Sequence, residues 1–400
     1  MLLRAAWLPL GAVLVAGGLI WGSAALLALG LFVLLAGGLA RVWADRSLVA
    51  LEFERRLPET RAFPGERLDL TYRLTNRKLL PLPRLELRDL FPDALAPDTL
   101  AHIPANISGT KIYERSTHLG SRERASWTVA LPCTERGYYR LGPARLRSGD
   151  AFGLFSAERD ETETPGVVVY PRTVPLQDLG LPSARPLGER KGRERIFEDP
   201  LRIAGLRDHA PGDSIRRIDW KATARRGALQ SRVYEPSTAQ HLIVALNIDT
   251  MDPPWAGYIP ELLETDLTVA ASLARWAFDE RYAVGLLANG SLPESDRPIR
   301  VPPGRAPDHL MRILEALGGI GPLTMTSLAD VLEAESHRLP FGATLAVVTA
   351  IMPGPLAAVL RGLHHSGKHV VVLATADGEW GGLLGPVPAQ RVELPAEAAP

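Results

Sequence analysis

The sequence predicts a multi-domain protein with an N-terminal transmembrane helical hairpin, a β-sandwich and an α/β doubly wound domain. Three observations support this fold class: a long uncharged apolar run at the start, period-two apolar patterns in the next part, and alternation of strands and helices in the last part. The predicted boundaries are 1–46 for the hairpin, 47–176 for the β-sandwich, 177–236 for a linker with a charged motif, 237–380 for the α/β domain and 381–400 for a C-terminal tail. This last stretch is Pro-rich and polar, so it is either an edge of the sheet or a disordered tail.

The apolar run contains no charged residue from Ala5 to Ala40. One helix of this length would extend about 54 Å, whereas the hydrocarbon core of a bilayer is about 30 Å thick. Two helices of roughly 16 to 18 residues, with a break near Trp21-Gly22-Ser23, fit that thickness better. A cleaved signal peptide is the alternative, but its apolar region spans only about 7–15 residues. The residues that flank the run are basic: Arg4, Arg41 and Arg46.

Because basic residues lie at both ends of the hairpin, the positive-inside rule predicts that both termini are cytoplasmic. The protein is therefore expected in the cell membrane, as a multi-pass protein with two N-terminal helices and a cytoplasmic soluble part. The single cysteine, Cys133, excludes a disulfide within the chain and agrees with a reducing compartment.

Residues 47–176 show strand-like alternation in runs such as ERLDLTYRLTN and ASWTVALP, separated by Pro, Gly and Asn turns. This spacing predicts a small antiparallel sandwich that acts as a spacer or interaction module. Its lone aromatic residues, Phe53, Tyr72 and Trp127, are predicted to lie in the core.

The charge distribution argues against nucleic-acid binding. Basic and acidic residues are equal in number, 45 each. From Arg185 to Arg232 there are 13 Lys and Arg against 7 Asp and Glu, but the acids are interspersed and no aromatic ladder accompanies the basic residues. No nucleic-acid partner is therefore expected.

The charged motif, which we define as residues 205–236, combines a turn, a helix and an extended exit in GLRDHAPGDSIRRIDWKATARRGALQSRVYEP. Pro211-Gly212 is a turn pair, and Asp213 directly after it predicts a helix N-cap. Arg217 lies four residues later, within reach of Asp213 for an ion pair across one helical turn. Arg225-Arg226-Gly227 is predicted to end the helix. The pattern indicates a short, capped, charged helix between two strands.

The segment PGDSIRRIDWKATARRGAL resembles the PGD-x-x-R-x-IDW-x-x-x-AR motif of the bacterial membrane-protein family called domain of unknown function 58. His209 departs from that family, which often has Tyr there. The resemblance extends to Arg136–Phe155 and to Val167–Leu176. It implies a von Willebrand factor A-like domain and a MoxR-type AAA+ ATPase as partner, but no settled biochemical activity.

From His241 onward, strand-like and helix-like segments alternate, which is typical of a doubly wound parallel sheet and fits the von Willebrand factor A-like domain that the resemblance implies. Such a domain often holds a metal ion through Asp-x-Ser-x-Ser, a Thr from a second loop and a later Asp, oxygen ligands that suit Mg²⁺. Here Asp249 is followed by Met251 and Pro253 at the two Ser positions, and Ala350 stands where the later Asp is expected. We therefore expect no metal site.

The sequence contains no GxSxG, GxxxxGK[ST], HExxH or strand-linked GxGxxG motif, so it predicts no enzyme, no cofactor and no small-molecule substrate. The function hypothesis is a membrane-anchored, non-enzymatic scaffold or adaptor that works with a MoxR-type AAA+ ATPase in assembly or envelope-related processes. The alternatives are an envelope-facing binding module, which needs the opposite topology, and a hydrolase with a cross-domain site around His209 and Asp213.

We predict that the interaction motif consists of Asp213, Arg216, Arg217, Asp219, Trp220, Lys221 and Arg225. In the functional interpretation the helix presents its basic residues to a partner protein. In the structural interpretation the same residues pair internally, and Trp220 is buried against the first strand of the α/β domain.

Overall fold

The computed structural model describes residues 2–97, 103–104, 107–181, 187, 197–211, 213–237, 241–293, 295–340, 342–378 and 380–395. The chain divides into two compact units, Met1–Tyr170 and Pro171–Pro400. Each unit has its own sheets.

Two helices open the first unit, α1 (Leu2–Ile20) and α2 (Ala24–Ser47), and the chain turns between them at the predicted break. Ser23 caps α2, because its Oγ accepts a hydrogen bond from the Leu26 N–H at 3.4 Å. The helix α2 is long and apolar enough to cross a membrane, by length and composition, whereas the apolar part of α1 is shorter.

Glycines allow α1 and α2 to approach closely. A Cβ added at Gly37 would lie 2.3 Å from a ring carbon of Trp7, and one added at Gly30 would lie 2.7 Å from the backbone nitrogen of Val15. Small residues at helix contacts are typical of helices that associate in lipid, where close backbone approach replaces the hydrophobic effect.

The rest of the first unit is β structure in three sheets, with strand orders β1-β3-β7, β10-β9-β4-β6-β5 and β2-β11-β8. The strands are β1 (Leu51–Arg56), β2 (Arg61–Ala62), β3 (Arg67–Asn76), β4 (Leu82–Pro92), β5 (Ile103–Pro104), β6 (Thr110–Leu119), β7 (Arg124–Pro132), β8 (Gly137–Arg140), β9 (Ala144–Gly149), β10 (Ser156–Glu161) and β11 (Gly166–Val169). Alternate residues of β3 are buried, as the period-two pattern predicts. Only the pairing of β2 with β11 is parallel among the described strand pairs of this unit.

Tyr72 lies at the centre of the sandwich core, stacked between Tyr113 at 5.6 Å and Trp127 at 5.4 Å. Its hydroxyl donates to the buried carboxylate of Asp89 at 2.6 Å, and the Arg55 guanidinium bonds the same carboxylate at 2.9 Å. The predicted core position of Tyr72 is confirmed, while Trp127 is half-buried at the edge of the core.

The second unit begins with a two-stranded antiparallel sheet, β12 (Phe197–Asp208) and β13 (Gln230–Ser237), with helix α3 (Trp220–Arg226) between the strands. The first part of the predicted linker, 177–236, is instead a strand from Phe197 onward, because pairing with β13 stabilises a strand that has no clean apolar alternation. Residues 182–186 and 188–196 of that predicted linker lie outside the described residues.

A six-stranded sheet follows, in the order β16-β15-β14-β17-β18-β19, and its neighbouring strands are parallel except at β16. The elements are β14 (His241–Leu246), α4 (Pro260–Asp279), β15 (Ala283–Ser291), β16 (Pro298–Gly304), α5 (His309–Gly318), α6 (Leu328–Glu335), β17 (Thr344–Thr349), α7 (Gly354–His365), β18 (His369–Ala374), α8 (Gly381–Leu384) and β19 (Ala389–Arg391).

The two edge strands bear differently on the sequence prediction. The strand β16 was not predicted, because its Pro-rich sequence PIRVPPG is unlike a buried strand; as an antiparallel edge strand it tolerates proline. The strand β19 lies in 381–400, the segment predicted as a tail or a sheet edge, and it pairs with β18 as the edge strand, so the α/β domain extends beyond residue 380. Helices α6 and α7 pack their apolar residues on one face of the sheet.

Candidate functional site

The helix of the charged motif starts later than predicted. Asp219, and not Asp213, is its N-cap: the Asp219 carboxylate accepts the Ala222 N–H at 3.0 Å and pairs through its other oxygen with Arg232 at 3.0 Å. Gly227, in the left-handed region with φ 70°, ends the helix and donates its N–H to the Thr223 carbonyl. Both ends of this seven-residue helix are therefore fixed by hydrogen bonds.

Asp213 instead closes the turn that precedes the helix. Its carboxylate accepts the Ala210 N–H at 3.0 Å and pairs with the Arg207 guanidinium at 2.6 Å. The Ala210 N–H and then Arg207 lower the pKa of Asp213, so it is ionised at neutral pH. Its predicted role as a helix cap was wrong, because the residues that follow it form only a short 3-10 turn, Ile215–Arg217.

Asp219 is also held in its ionised form. The Ala222 N–H is the largest cause that lowers the pKa of Asp219, and the Arg232 side chain is the next. Of the residues predicted for the interaction motif, Asp213 and Asp219 therefore form bonds within the chain: Asp213 fixes the turn before the helix, and Asp219 fixes the start of the helix.

Trp220 is exposed rather than buried: 64% of its surface is accessible. The predicted packing of Trp220 was wrong because Ile218, only 7% exposed, fills the inner position and its backbone bridges to Ser231 of β13. Of the other predicted residues, Arg217 is half-buried, and those that are exposed are Arg216, Lys221 and Arg225. The motif therefore presents one large aromatic residue among basic ones, next to the exposed Ile215.

The geometry around His209 does not form a catalytic relay. The His209 Nδ1 lies 2.9 Å from the Ser231 Oγ and 3.9 Å from the Asp213 carboxylate, so the serine and the acid face the same ring nitrogen. A Ser-His-Asp relay needs them on opposite nitrogens. Ser231 is also only 1% exposed, which leaves no room for a substrate at its hydroxyl.

A second polar cluster lies at the carboxyl end of the six-stranded sheet, where β14 is flanked by β15 and β17. Asp249 accepts hydrogen bonds from the Thr324 hydroxyl and the Asn289 amide, both at 2.8 Å. Asn289 also donates to Asn247, whose amide donates to Thr349. We call this cluster the Asp249 edge. Ligands of open α/β sheets bind at such switch points.

Burial raises the pKa of Asp249, and the charge of Asp252 adds to that rise, while the hydrogen bonds from Thr324 and Asn289 oppose it. Both carboxylate oxygens of Asp249 are engaged by other side chains. Among the described residues, no three His, Cys, Asp or Glu side chains lie close enough together to hold a metal ion.

Sequence reasoning missed the partners of Asp249. Asn289 could have been found from the sequence, since it is a polar residue at the end of the apolar strand segment YAVGLLANG. Thr324 could not have been found in this way, because it stands in a loop 75 residues after Asp249 in the sequence. Around this edge the exposed residues include Trp255, at 87%, and the two apolar neighbours of Thr324, Leu323 and Met325.

Comparisons with known proteins agree with the motif. Residues 205–379 match the model of the family described as Protein of unknown function DUF58, a range that includes the charged motif and the Asp249 edge. The upstream segments of the predicted resemblance, Arg136–Phe155 and Val167–Leu176, lie outside that match.

The chain is similar to the uncharacterized protein YeaD of Bacillus subtilis strain 168, with 25% identity over 271 residues. The match covers 65% of this chain and 60% of YeaD, so the chain spans less than two thirds of that relative.

Two solved structures also match part of the chain. The CARDB domain of the PF1109 protein from Pyrococcus furiosus is 16% identical, covers 30% of this chain and 86% of its own, and has a TM-score of 0.20. A cohesin module from a Clostridium perfringens family 33 glycoside hydrolase is 10% identical, covers 30% and 96%, and has a TM-score of 0.20. Scores this low carry no argument about fold or function.

Proposed function

We propose that this protein is a membrane-anchored, non-enzymatic adaptor that binds a MoxR-type AAA+ ATPase through the charged motif, in assembly or envelope-related processes. The observation that supports it best is the exposed Trp220 at the start of a helix whose two ends are fixed by hydrogen bonds. The identity of the partner comes from the resemblance to the domain of unknown function 58 family.

The motif has the physical features of a docking surface. Trp is enriched among the residues that dominate the binding energy of protein interfaces. A helix that is already rigid loses less conformational entropy when a partner binds. The exposed basic residues Arg216, Lys221 and Arg225 lie within five residues of Trp220 in the sequence, so the complementary surface on the partner is acidic. The ionised Asp213 and Asp219 pair with Arg207 and Arg232, which leaves the excess charge of the helix basic.

Membrane anchoring is supported by α2, and we infer that α1 crosses the bilayer with it. The basic residues Arg4, Arg41 and Arg46 lie near the start of α1 and the end of α2, and the end of α2 leads into the soluble part. By the positive-inside rule, that part faces the cytoplasm, where an AAA+ ATPase can reach it.

We further infer that the six-stranded sheet is a von Willebrand factor A-like domain. Its support is the doubly wound architecture, the position of Asp249 after the first parallel strand of the sheet, and the Thr324 hydroxyl from a second loop on the Asp249 carboxylate. No observation favours the hydrolase or the envelope-facing alternative over the adaptor.

The test is affinity capture of the full chain from solubilised membranes, with and without a non-hydrolysable ATP analogue. The proposal predicts enrichment of an AAA+ ATPase in at least one nucleotide state. Reporter fusions at the C-terminus are the companion measurement, with one reporter active only in the cytoplasm and one only outside. Capture that never enriches such an ATPase, or an external C-terminus, would contradict the proposal.

A further inference from the structure

We propose that the turn between β9 and β10, residues 150–155, inserts into the headgroup region of the lipid bilayer beside α2. This inference rests on the membrane anchoring in the proposed function, and adds a second point of attachment between the β-sandwich and the membrane. We call residues 150–155 the membrane turn.

The membrane turn packs directly on the apolar helices. Phe155 is buried against Ala40 and Ala44 of α2. The Trp7 ring of α1 meets Phe155 edge to face at 6.1 Å, and the Arg41 guanidinium lies 5.6 Å from the centre of the Phe155 ring. The uncharged run ends at Ala40 and the charges begin at Arg41, so the turn lies at the level where a spanning helix leaves the hydrocarbon.

The tip of the membrane turn holds apolar side chains away from the sandwich. Phe152 is 78% exposed and Leu154 is 37% exposed. The buried Asp150 fixes the turn, because its carboxylate accepts the Phe152 N–H at 3.0 Å and the Phe155 N–H at 2.7 Å. Gly153, with φ 72°, permits the tight bend. The exposure of Phe152 is therefore built into a hydrogen-bonded turn.

Lipid is the occupant that the surroundings favour. The α2 residues Phe32, Leu35 and Leu39 are each more than half exposed, and a bilayer that surrounds α2 covers them. The same bilayer then meets the membrane turn, because Phe155 already lies on the end of that helix. Aromatic side chains and snorkelling basic residues concentrate at this depth, as Trp7, Phe152 and Arg41 do here.

The experiment places a nitroxide spin label on the full chain in nanodiscs of phosphatidylcholine and phosphatidylglycerol. Labels are attached at Phe152→Cys or Leu154→Cys, and the collision rates with oxygen and with a water-soluble nickel chelate are compared. The native Cys133 is not expected to react with the label, because it is fully buried and burial raises its pKa to about 11. The label therefore attaches to the introduced cysteine.

Two control positions calibrate the result. Phe32→Cys reports the hydrocarbon region of α2. Ile107→Cys reports an exposed apolar residue, 61% accessible, that precedes β6 at the end of its sheet opposite to the membrane turn.

The inference predicts that the labels at 152 and 154 favour oxygen over the nickel chelate, as the label at 32 does, while the label at 107 favours the chelate. If the label at 32 lies in lipid and those at 152 and 154 behave like the label at 107, the membrane turn does not insert, and the anchoring stands. If the label at 32 is itself open to the chelate, the anchoring fails and this inference fails with it.

Discussion

Two surfaces of the C-terminal unit combine aspartates with an exposed tryptophan, and their electrostatics are opposite. In the charged motif, Asp213 and Asp219 are ionised, each paired with an arginine, and they fix the backbone that carries Trp220. At the Asp249 edge, the carboxylate is half-buried and accepts hydrogen bonds from neutral side chains, and Trp255 lies nearby in sequence.

The difference shows how similar residues serve different purposes. Asp213 and Asp219 are neutralised by arginines, so the exposed Lys221 and Arg225 add basic charge to the field that a partner meets. Within the part of the chain that the structure describes, the hydrogen-bond network of the Asp249 edge contains no basic side chain. If protein docking depends on the charged motif, substitutions in the motif must weaken partner binding, while substitutions at the Asp249 edge must not.

The largest expected effect is the loss of Trp220. Trp220→Ala is expected to weaken binding of the ATPase by about 2 kcal/mol, or about 30-fold, because exposed tryptophans on rigid elements dominate interfaces. Isothermal titration with the captured ATPase measures it. Trp255→Ala is the matched control and is expected to bind as the wild type does; a loss at Trp255 with none at Trp220 would move docking to the Asp249 edge.

The next effect is electrostatic. The double variant Lys221→Glu, Arg225→Glu is expected to slow association with the ATPase about tenfold at low ionic strength, because basic residues steer an acidic partner. Stopped-flow association at low and at 1 M salt tests this, since screening must reduce the difference. Arg305→Glu changes an exposed arginine elsewhere in the same unit and is expected to have little effect; an equal effect there would indicate a general dependence on net charge.

A smaller effect concerns the helix cap. Asp219→Ala removes the acceptor of the Ala222 N–H, and amide exchange in α3 is expected to accelerate roughly fivefold. Hydrogen–deuterium exchange of the full chain in detergent measures it. Asp308→Ala is the control, because Asp308 stands at the N-terminus of α5 without a side-chain cap hydrogen bond. Equal acceleration in α3 and α5 would show that Asp219 does not fix the motif.

The smallest effect is a difference in pH dependence. Burial raises the folded-state pKa of Asp249, so its stability contribution is full below the unfolded value of about 3.9 and is lost as pH rises through the folded value. Relative to wild type, Asp249→Asn is therefore expected to gain about 2 °C in unfolding temperature between pH 4.5 and pH 7.5.

Asp219→Asn should show the opposite sign. Hydrogen bonds lower the folded-state pKa of Asp219, so its contribution is present above about 3.9 and is lost as pH falls through the folded value. Scanning calorimetry of the two variants compares them from about pH 2.5 to pH 7.5, because the contribution of Asp219 changes only below about pH 4. Parallel pH profiles would refute the electrostatic contrast between the two surfaces.

Local patterns predicted most elements of the fold. The uncharged run, the alternation in β3 and the strand–helix rhythm after His241 each follow from one stretch of sequence. The edge strand β16 was missed, because its Pro-rich sequence becomes a strand only by pairing with a neighbour. For β19 the sequence left an edge and a tail open, and pairing with β18 decides for the edge.

The site was predicted in composition but not in geometry. The Pro211-Gly212 turn favoured Asp213 as the helix cap, whereas in the structure the backbone of Ile218 bridges to Ser231 of β13 and the next residue, Asp219, caps the helix. Trp220 then begins the helix and is exposed. Such long-range choices, like the bond between Thr324 and Asp249, leave no local pattern in the sequence.

The central claim is that the charged motif meets a cytoplasmic AAA+ ATPase in the living cell. The most direct measurement is photo-crosslinking from an unnatural amino acid in place of the exposed Lys221, with a second placement at Arg305 as control. The account predicts a covalent adduct with an AAA+ ATPase from position 221 and none from position 305. An adduct from 221 only with proteins outside the cytoplasm, or an ATPase adduct only from 305, would contradict it.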